Sequence, residues 1–166
     1  NNDYVEVNNL SGILNDTASL TFWIRTTQSG NDTGWQAPGV AGVEEGGGAD
    51  DIFWGWIDAS GNIGISVGND FDEEQKSTTD INDGNWHHVV LTRDATSGDT
   101  KVYVDGNLEN EGNSPTGIIG NGFSSIGRIE DTDGTPEYFD GDLDEVRIYS
   151  EVLSDSTVTN IYNSTH

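Results

Sequence analysis

Short segments in which polar and apolar residues alternate are the feature that most constrains the fold of this chain. Residues 19–26 read SLTFWIRT. In an extended strand, Leu20, Phe22 and Ile24 would fall on one side and the residues between them on the other. Similar segments recur along the chain, separated by polar turns that draw on 22 glycines. Roughly eleven such strands predict an all-β sandwich of two packed antiparallel sheets.

One short helix is expected near the C-terminus, in residues 154–162 (SDSTVTNIY). Ser154 is a good N-cap and Asp155 suits the first turn, but threonine and valine lower the helical propensity, which limits the helix to one or two turns. A chain of 166 residues without a recognisable linker is expected to be a single domain, residues 1–166. Its longest apolar run, residues 52–57 (IFWGWI), is too short to span a bilayer.

The charge balance excludes several classes of partner. Thirty acidic residues stand against six basic ones, which gives a net charge of −24. Such a surface repels nucleic acid phosphates and anionic lipid head groups, so neither nucleic acid binding nor membrane insertion is expected. Most of the carboxylates are expected to keep the protein soluble, although about three to six of them would be enough for one or two calcium sites.

The acidic residues are concentrated in residues 128–149 (RIEDTDGTPEYFDGDLDEVRIY), between two segments that have the pattern of strands. Eight carboxylates this close together repel one another unless a cation lies among them or they point into water. Alternation divides them into a loop group, Glu130, Asp131 and Asp133, and a strand group, Asp142 and Asp144. The remaining three are interpreted as charges at the rim: Glu137, Asp140 and Glu145.

A second acidic loop, residues 44–51 (EEGGGADD), contains three consecutive glycines and has carboxylates at both ends. The glycines exclude a regular element and indicate a flexible or sharply turned loop. At the end of this loop, Asp50 and Asp51 stand directly before the apolar run of residues 52–57, within a strand expected in residues 51–58.

Residues 69–76 are interpreted as another acidic loop.

That apolar strand carries two tryptophans. Trp54 and Trp56 lie two residues apart, so regular alternation places them on one face, with Phe53 and Ile57 on the other. A strand that is apolar on both faces is either covered on both sides or leaves one face as a sticky platform. We expect one face to pack in the core and the face with Trp54 and Trp56 to line a ligand-binding surface.

Three further tryptophans lie elsewhere in the chain. Trp35 lies in a polar loop and is the best candidate for an exposed ring that stacks on a ligand, although a tryptophan in a loop can also cap the core. Trp23 and Trp86 are expected to serve packing.

Three segments in order give the chain its resemblance to a known family. They are residues 83–106 (DGNWHHVVLTRDATSGDTKVYVDG), residues 124–129 (SSIGRI) and residues 139–154 (FDGDLDEVRIYSEVLS). This series resembles laminin G-like modules of bacterial secreted and surface proteins, in the concanavalin A-like lectin/glucanase superfamily. The resemblance implies a jelly roll, a fold that hosts lectins, adhesion modules and hydrolases. It also implies a further strand before DYVEV, which is either trimmed or supplied from elsewhere.

The resemblance also implies a calcium site. Pentraxins, calcium-dependent relatives, carry acidic or amide residues before a strand like IFWGW and after a strand like SIGR. The matching positions here are Asp50 and Asp51 in one loop and Glu130, Asp131 and Asp133 in the other. These five residues are therefore predicted to form a calcium cluster at one end of the sandwich. The alternative is a solvated acidic rim without a fixed ion.

Asp144 is a separate candidate. Within DLDEVRIY it alternates with Asp142 and Val146, and related folds often hold a second, structural calcium near this position. The alternative is that Asp144 pairs with Arg147 or accepts a backbone hydrogen bond.

Catalysis is not expected. Hydrolases of this fold carry their carboxylates as Glu-x-Asp-x-x-Glu, whereas the nearest run here, residues 140–145 (DGDLDE), has no glutamate at the first position. The chain also has no Gly-x-Ser-x-Gly motif, no cysteine and no zinc motif.

The sequence thus predicts a non-catalytic, calcium-dependent carbohydrate-binding module of a larger secreted or cell-surface protein. It is expected to be a monomer joined to other domains, with a glycan or another cell-surface molecule as its ligand. The alternative is a structural or protein-binding adhesion domain in which calcium only rigidifies loops.

Overall fold

The chain folds into two antiparallel sheets that pack face to face, with a helix on the outer face of one of them. A computed structural model describes residues 3–68 and 74–165. The predicted all-β sandwich is confirmed. Within the described residues, no helix is both long and apolar enough to cross a membrane.

The larger sheet has eight strands within the described residues. They are β1 (Val5–Glu6), β3 (Ala41–Glu44), β4 (Ile52–Ile57), β5 (Asn62–Val67), β6 (Gln75–Asp80), β10 (Ser125–Ile126), β11 (Arg128–Asp131) and β12 (Glu137–Tyr138). The smaller sheet, in the order β13-β2-β7-β8-β9, has five strands in the same part of the chain. They are β2 (Ala18–Thr26), β7 (His87–Arg93), β8 (Asp99–Val104), β9 (Asn107–Asn113) and β13 (Gly141–Tyr149).

The main core lies between the two sheets. Leu20, Phe22 and Ile24 are fully buried there, which confirms the alternation predicted for β2. From the larger sheet, Ile52 and Trp54 are buried in the same core. Each strand thus contributes its inward residues to one shared apolar layer.

The C-terminal helix is longer than predicted. It spans Asp155–Thr165, which is three turns rather than one or two. Its start is as expected, because the Ser154 Oγ accepts a hydrogen bond from the Thr157 N–H at 3.3 Å. The extra length comes from packing, since the helix buries Val158 in a cluster on the outer face of the smaller sheet. Tertiary contacts have therefore overridden weak local propensity.

Two shorter helical segments were not predicted. The first is a four-residue helix, Ser11–Leu14, and the second is a single 3₁₀ turn, Gly34–Gln36.

Several polar strands were also missed. β6, β9 and β12 have mixed or exposed residues instead of a clear apolar face. Of the acidic loop predicted in residues 69–76, residues 69–73 lie outside the described residues, while the last two belong to β6. These strands form because their backbones pair with neighbours, so their side chains carry little signal.

Two bulges change which side chains share a face. Gly55 has a φ of +77° and interrupts the pairing of β4 with β5 between Trp54 and Trp56. Glu145 has a φ of +51° and lies where the pairing of β13 with β2 shifts between Asp144 and Arg147. An extra residue at a bulge reverses the alternation beyond it.

The two sheets part along the edge formed by β1 and β13. A cavity of about 410 Å³ opens there, lined in part by the apolar side chains of Val5, Ile126, Phe139, Leu143 and Val146. In the described part of the chain, β13 pairs only with β2.

Candidate functional site

Four carboxylates lie next to one another on the outer face of the larger sheet. We call them the acidic row: Glu44, Asp51, Asp131 and Glu137. Val43 pairs with Ile52 in the hairpin of β3 and β4, so the next two residues, Glu44 and Asp51, face each other. Asp131, the last residue of β11, is the register partner of Glu44.

Glu137 joins the row from β12. It pairs with Ile129, which lies two residues before Asp131 and therefore on the same face. Ile129 packs with Phe53 and Trp56 in a small cluster outside the main core. This cluster identifies the face that carries the acidic row as the outer one.

The row is held by direct contacts at the end of the sheet. Glu44 and Asp131 are register partners on neighbouring strands, so their carboxyl groups lie side by side. Asp51 is only 2% exposed, and its Oδ1 accepts the Glu45 N–H at 2.8 Å. The row thus combines one buried and three half-buried carboxylates, and within residues 3–68 and 74–165 none of them has a basic side chain within 4.0 Å.

The electrostatics follow from this arrangement. Burial first, and then the hydrogen bond and repulsion from Asp131, raise the pKa of Glu44 to about 7. Burial raises the pKa of Asp51 to about 6, against the hydrogen bond from the Glu45 N–H and with smaller contributions from the negative charges of Glu45 and Asp131. Burial and then Asp131 raise the pKa of Glu137 to about 7. Near neutral pH the row therefore retains protons in positions where a cation would be stabilised.

The donor set fits a hard cation in part. The Oε2 of Glu137 is buried and has no hydrogen-bond partner. In residues 3–68 and 74–165, however, no three Asp, Glu or His side chains are arranged as a ready metal site. Because calcium takes about six to eight oxygens, backbone carbonyls and water would have to complete its coordination.

The two loops that the sequence predicted to meet do so. The Gly46 N–H donates to the Asp133 Oδ2 at 3.2 Å, and the Thr132 N–H donates to the Glu44 carbonyl oxygen at 3.1 Å. Of the five predicted calcium ligands, Asp51 and Asp131 lie in the acidic row, while Asp50 and Asp133 are exposed beside it.

Glu130 lies apart from the row. It is the register partner of Val43, an inward-facing residue, so it occupies the opposite face from Asp131. Its Oε1 accepts hydrogen bonds from the Ser124 N–H at 2.9 Å and the Ser125 Oγ at 2.5 Å. The expectation that Glu130 joins the cluster is wrong, because Glu130 directly precedes Asp131 in β11 and adjacent strand residues face opposite sides of the sheet.

Sequence reasoning missed two members of the row. Glu137 was interpreted as a rim charge, and Glu44 was noted only as the start of a loop. The signal for Glu44 is its position one residue beyond the inward-facing Val43, which becomes informative once the partner of β3 is known.

Asp144 lies in the smaller sheet, opposite Trp23 of β2. Its side chain is exposed, and its Oδ1 accepts a hydrogen bond from the N–H of Glu145 at 2.7 Å. This contact matches the alternative to a calcium ligand, in which Asp144 accepts a backbone hydrogen bond. The expectation that Asp144 and Val146 lie on the same face of the strand is wrong, because the bulge at Glu145 turns Val146 toward the main core.

The predicted tryptophan platform on β4 is wrong. Trp54 is 0% exposed in the main core, whereas Trp56 is 1% exposed in the outer cluster. The bulge at Gly55 places the two rings on opposite faces, and each is covered.

Other tryptophans do reach the surface. Trp35 is 52% exposed on the 3₁₀ turn, close in sequence to Ala37 of the outer cluster, which agrees with its predicted exposure. Trp86, expected to be packed, is 39% exposed. Trp23 is half-buried, and its Nε1 donates to the Thr165 Oγ1 at 3.0 Å.

A two-sheet antiparallel sandwich with one helix on its back and polar loops at its ends defines a lectin-type jelly roll. The model of the laminin G-like family, described as the concanavalin A-like lectin/glucanase superfamily, matches residues 1–159. The chain belongs to this family, so the fold expected from the three sequence segments is confirmed.

The sequence relatives match about half of this chain and a very small part of their own length. A rat protein named for its sushi, von Willebrand factor type A, EGF and pentraxin domains is 32% identical over 91 residues, which are 51% of this chain and 3% of that protein. A mouse protein of the same name is 33% identical over 85 residues, which are 47% of this chain and 2% of that protein. The chain thus spans a very small share of the multidomain proteins that it matches.

Solved structures show the same fold at low identity. The native heptameric SAP-like pentraxin of Limulus polyphemus is 17% identical with a TM-score of 0.63, covering 88% of this chain and 69% of the pentraxin. Domain 4 of AbnA, an extracellular arabinanase of Geobacillus stearothermophilus solved with arabinotriose, is 21% identical with a TM-score of 0.61. That comparison covers 89% of this chain and 66% of the arabinanase domain. At these identities the likenesses show a shared fold.

Proposed function

We propose that this chain is a non-catalytic carbohydrate-binding module of a larger extracellular or cell-surface protein, and that calcium completes its binding site. The observation that carries the proposal is the acidic row, in which buried Asp51 and half-buried carboxylates from β3, β11 and β12 meet on one face. Family membership supports a binding role, and the arabinotriose complex of a similar domain supports a sugar as ligand.

Calcium would be held by the acidic row, with Asp133 and Asp50 beside it as further oxygen donors. Bound there, calcium would neutralise the repulsion between carboxylates and offer open coordination positions to ligand hydroxyls. The chain's own residues supply the rest of the site. Asp131 braces its turn by accepting the N–H groups of Asp133 and Gly134 at 2.9 and 2.7 Å.

Trp35 would supply the aromatic contact. Its loop packs on the outer cluster through Ala37, and the Trp35 side chain is 52% exposed, which places an accessible ring on the same side of the sandwich as the acidic row. An indole ring stacks on the apolar face of a sugar, while calcium and nearby amides fix the hydroxyls. This combination explains how one face could bind a glycan without a deep pocket.

The second candidate function is an adhesion domain that binds protein or other domains of its parent, with calcium as a stiffener of loops. The cross-links between the loop of residues 44–51 and the turn at Asp133 favour it, because a cation there would tie the two segments together. The multidomain architecture of the rat relative supports it as well.

A glycan array probed with and without a calcium chelator separates these functions. The proposed function predicts saturable glycan signals that disappear with chelator and fall by about tenfold in Trp35→Ala, the stacking variant. Trp86→Ala, on the other sheet, is the matched control and should bind as the parent protein does. Absence of any glycan signal in calcium would favour the adhesion domain instead.

Calcium affinity should distinguish two neighbouring acids of one strand. Asp131→Asn is expected to weaken calcium binding by at least about tenfold, because Asp131 lies at the centre of the row. Glu130→Gln should leave the affinity within about twofold, since Glu130 faces away and is already hydrogen-bonded. Titration calorimetry measures both, and equal losses in the two variants would contradict this placement of the site.

A further inference from the structure

A groove of about 310 Å³ lies on the outer face of the smaller sheet, beside the end of the C-terminal helix. It is lined by Trp23, Trp86, Asp144, Glu145 and Thr165. The acidic row belongs to the other sheet, so this groove is a separate feature. None of the roles proposed above uses it.

Two indole rings form its apolar walls. Trp23 is fixed by its hydrogen bond to Thr165 and by contacts with the rings of His88 and Tyr162, at centroid distances of 5.3 and 5.9 Å. Trp86 directly precedes β7 and is 39% exposed. The groove therefore has one rigid aromatic wall and one that is open to solvent.

Two carboxylates complete the lining. Glu145 already pairs with Arg147. Asp144 is exposed, and no basic side chain lies within 4.0 Å of its carboxylate in residues 3–68 and 74–165. One Asp144 oxygen accepts the Glu145 N–H, which fixes the orientation of the carboxylate. A negative charge without a counter-charge thus stands directly beside two indole rings.

The same combination already holds a cation next to the groove. The guanidinium of Arg25 lies over the Trp86 ring with its Cζ 5.0 Å from the centroid, and it donates to the Asp142 Oδ2 at 2.7 and 3.0 Å. A guanidinium is flat and weakly hydrated, so it stacks on an indole and pairs with a carboxylate at the same time.

We propose that this groove binds an arginine side chain presented by a basic segment of a partner protein. The guanidinium would lie against Trp86 and Trp23 and pair with Asp144, as Arg25 pairs with Asp142 beside it. The net charge of −24 would speed the approach of a basic segment. Lysine fits less well, because its ammonium is more strongly hydrated and has no flat face.

The test uses the indole N–H signals of ¹⁵N-labelled protein, which contains five tryptophans. A short peptide with a single arginine between glycines is titrated against its citrulline counterpart, which has nearly the same shape without the charge. The arginine peptide should shift the Trp23 and Trp86 signals saturably, with a dissociation constant in the millimolar range. The citrulline peptide should bind about three- to tenfold more weakly.

Two variants locate the site. Asp144→Asn removes the charge but retains the oxygen that accepts the Glu145 N–H. This substitution should weaken the binding of the arginine peptide about three- to tenfold. Trp86→Ala should do the same, while Trp35→Ala on the other sheet should change nothing. Chelation of calcium should also have no effect, which separates this site from the proposed glycan site.

Three results would overturn the proposal. The first is an equal response to the arginine and citrulline peptides. The second is unchanged binding in both Asp144→Asn and Trp86→Ala. The third is tighter binding of neutral oligosaccharides than of the arginine peptide in this groove. The dispersion of the amide spectrum shows whether each variant is folded, and the exposure of both side chains favours folded variants.

Discussion

Metal-free protein is expected to lose about 1 to 2 kcal/mol of stability between pH 6.5 and pH 8, and saturating calcium is expected to remove that loss. The carboxyls of Glu44 and Glu137 have folded-state pKa values of about 7, above the ordinary value of 4.5. The folded state therefore holds more protons than the unfolded state in this window. Stability falls as the pH rises through the folded pKa, because the row becomes charged without a counter-ion.

The window is chosen so that His88 interferes little. Burial lowers the pKa of His88 to about 4, so its contribution has the opposite sign. The cost of burying His88 fades only well above the unfolded-state pKa of 6.5, so His88 still adds about 0.4 kcal/mol of stability between pH 6.5 and pH 8. The net fall in stability over this window therefore reports the carboxylates, reduced by this smaller opposing contribution.

Thermal melts in chelator and in calcium measure this effect. At a hundred times its dissociation constant, calcium adds about 2.7 kcal/mol when it binds only the folded state. For a domain of this size that corresponds to a rise in Tm of roughly 5 to 10 °C. The matched variant is Asp131→Asn, which should flatten the pH slope in chelator and lose most of the calcium effect. Equal Tm values in chelator and in calcium at pH 8 would contradict the calcium proposal.

Replacing Arg93 should be the most destabilising change at any basic residue. Its side chain is 0% exposed and donates four hydrogen bonds to backbone oxygens. The acceptors are the carbonyls of Asn15, Asp16, Pro115 and Gly117, at 2.8 to 3.3 Å. Arg93→Met leaves these carbonyls unpaired, so we expect a loss of about 3 to 5 kcal/mol.

The Arg93 effect is measured by chemical denaturation, and Arg25→Met is the control. Arg25 pairs with Asp142 at the surface, with its side chain 47% exposed, and its removal should cost less than about 1 kcal/mol. Arg93→Lys should recover only part of the stability, because an ammonium cannot reach four carbonyls in a fixed fork. A loss below about 1 kcal/mol in Arg93→Met would show that water replaces the guanidinium.

The Arg93 contacts also bear on the proposed calcium site. Through Pro115 and Gly117 the guanidinium fixes the loop that follows β9. Further along that loop, the side-chain amide of Asn121 donates to the carboxylate of Glu45, next to the acidic row. Part of the loss in Arg93→Met should therefore appear as weaker calcium binding.

Regular alternation made much of the fold predictable. In β2, Leu20, Phe22 and Ile24 alternate with Thr21, Trp23 and Arg25, so the inward face of this strand could be assigned without the structure. β9 (NLENEGN) could not, because an edge strand with polar side chains is held mainly by its backbone. The C-terminal helix was predicted too short, since Val158 packs against Val90 and Tyr103, which lie far away in sequence.

The site was less predictable, because it depends on strand register. Asp131 and Asp51 were found through loops that the family resemblance pointed to. Glu44 and Glu137 became visible only when β11 was seen to pair with both β3 and β12. Glu130 was misplaced since adjacent strand residues face opposite ways, and only the pairing shows which one faces out.

Bulges were the other source of error. The glycine between Trp54 and Trp56 was the available signal for their separation, because a glycine inside a strand often marks a bulge. Glu145 adopts a positive φ without being glycine, a conformation that its sequence does not signal. The groove beside Asp144 consequently lay outside what alternation could indicate.

The most direct test of the calcium proposal is a count of the protons released when calcium binds. Calorimetric titrations at pH 6.5 in two buffers of different ionisation enthalpy give that number. We predict about one proton or more per ion at pH 6.5 and almost none at pH 8.5, because calcium replaces the protons held by Glu44, Glu137 and Asp51. Calcium binding without proton release at pH 6.5, or no binding at either pH, would contradict the proposal that the acidic row holds the ion.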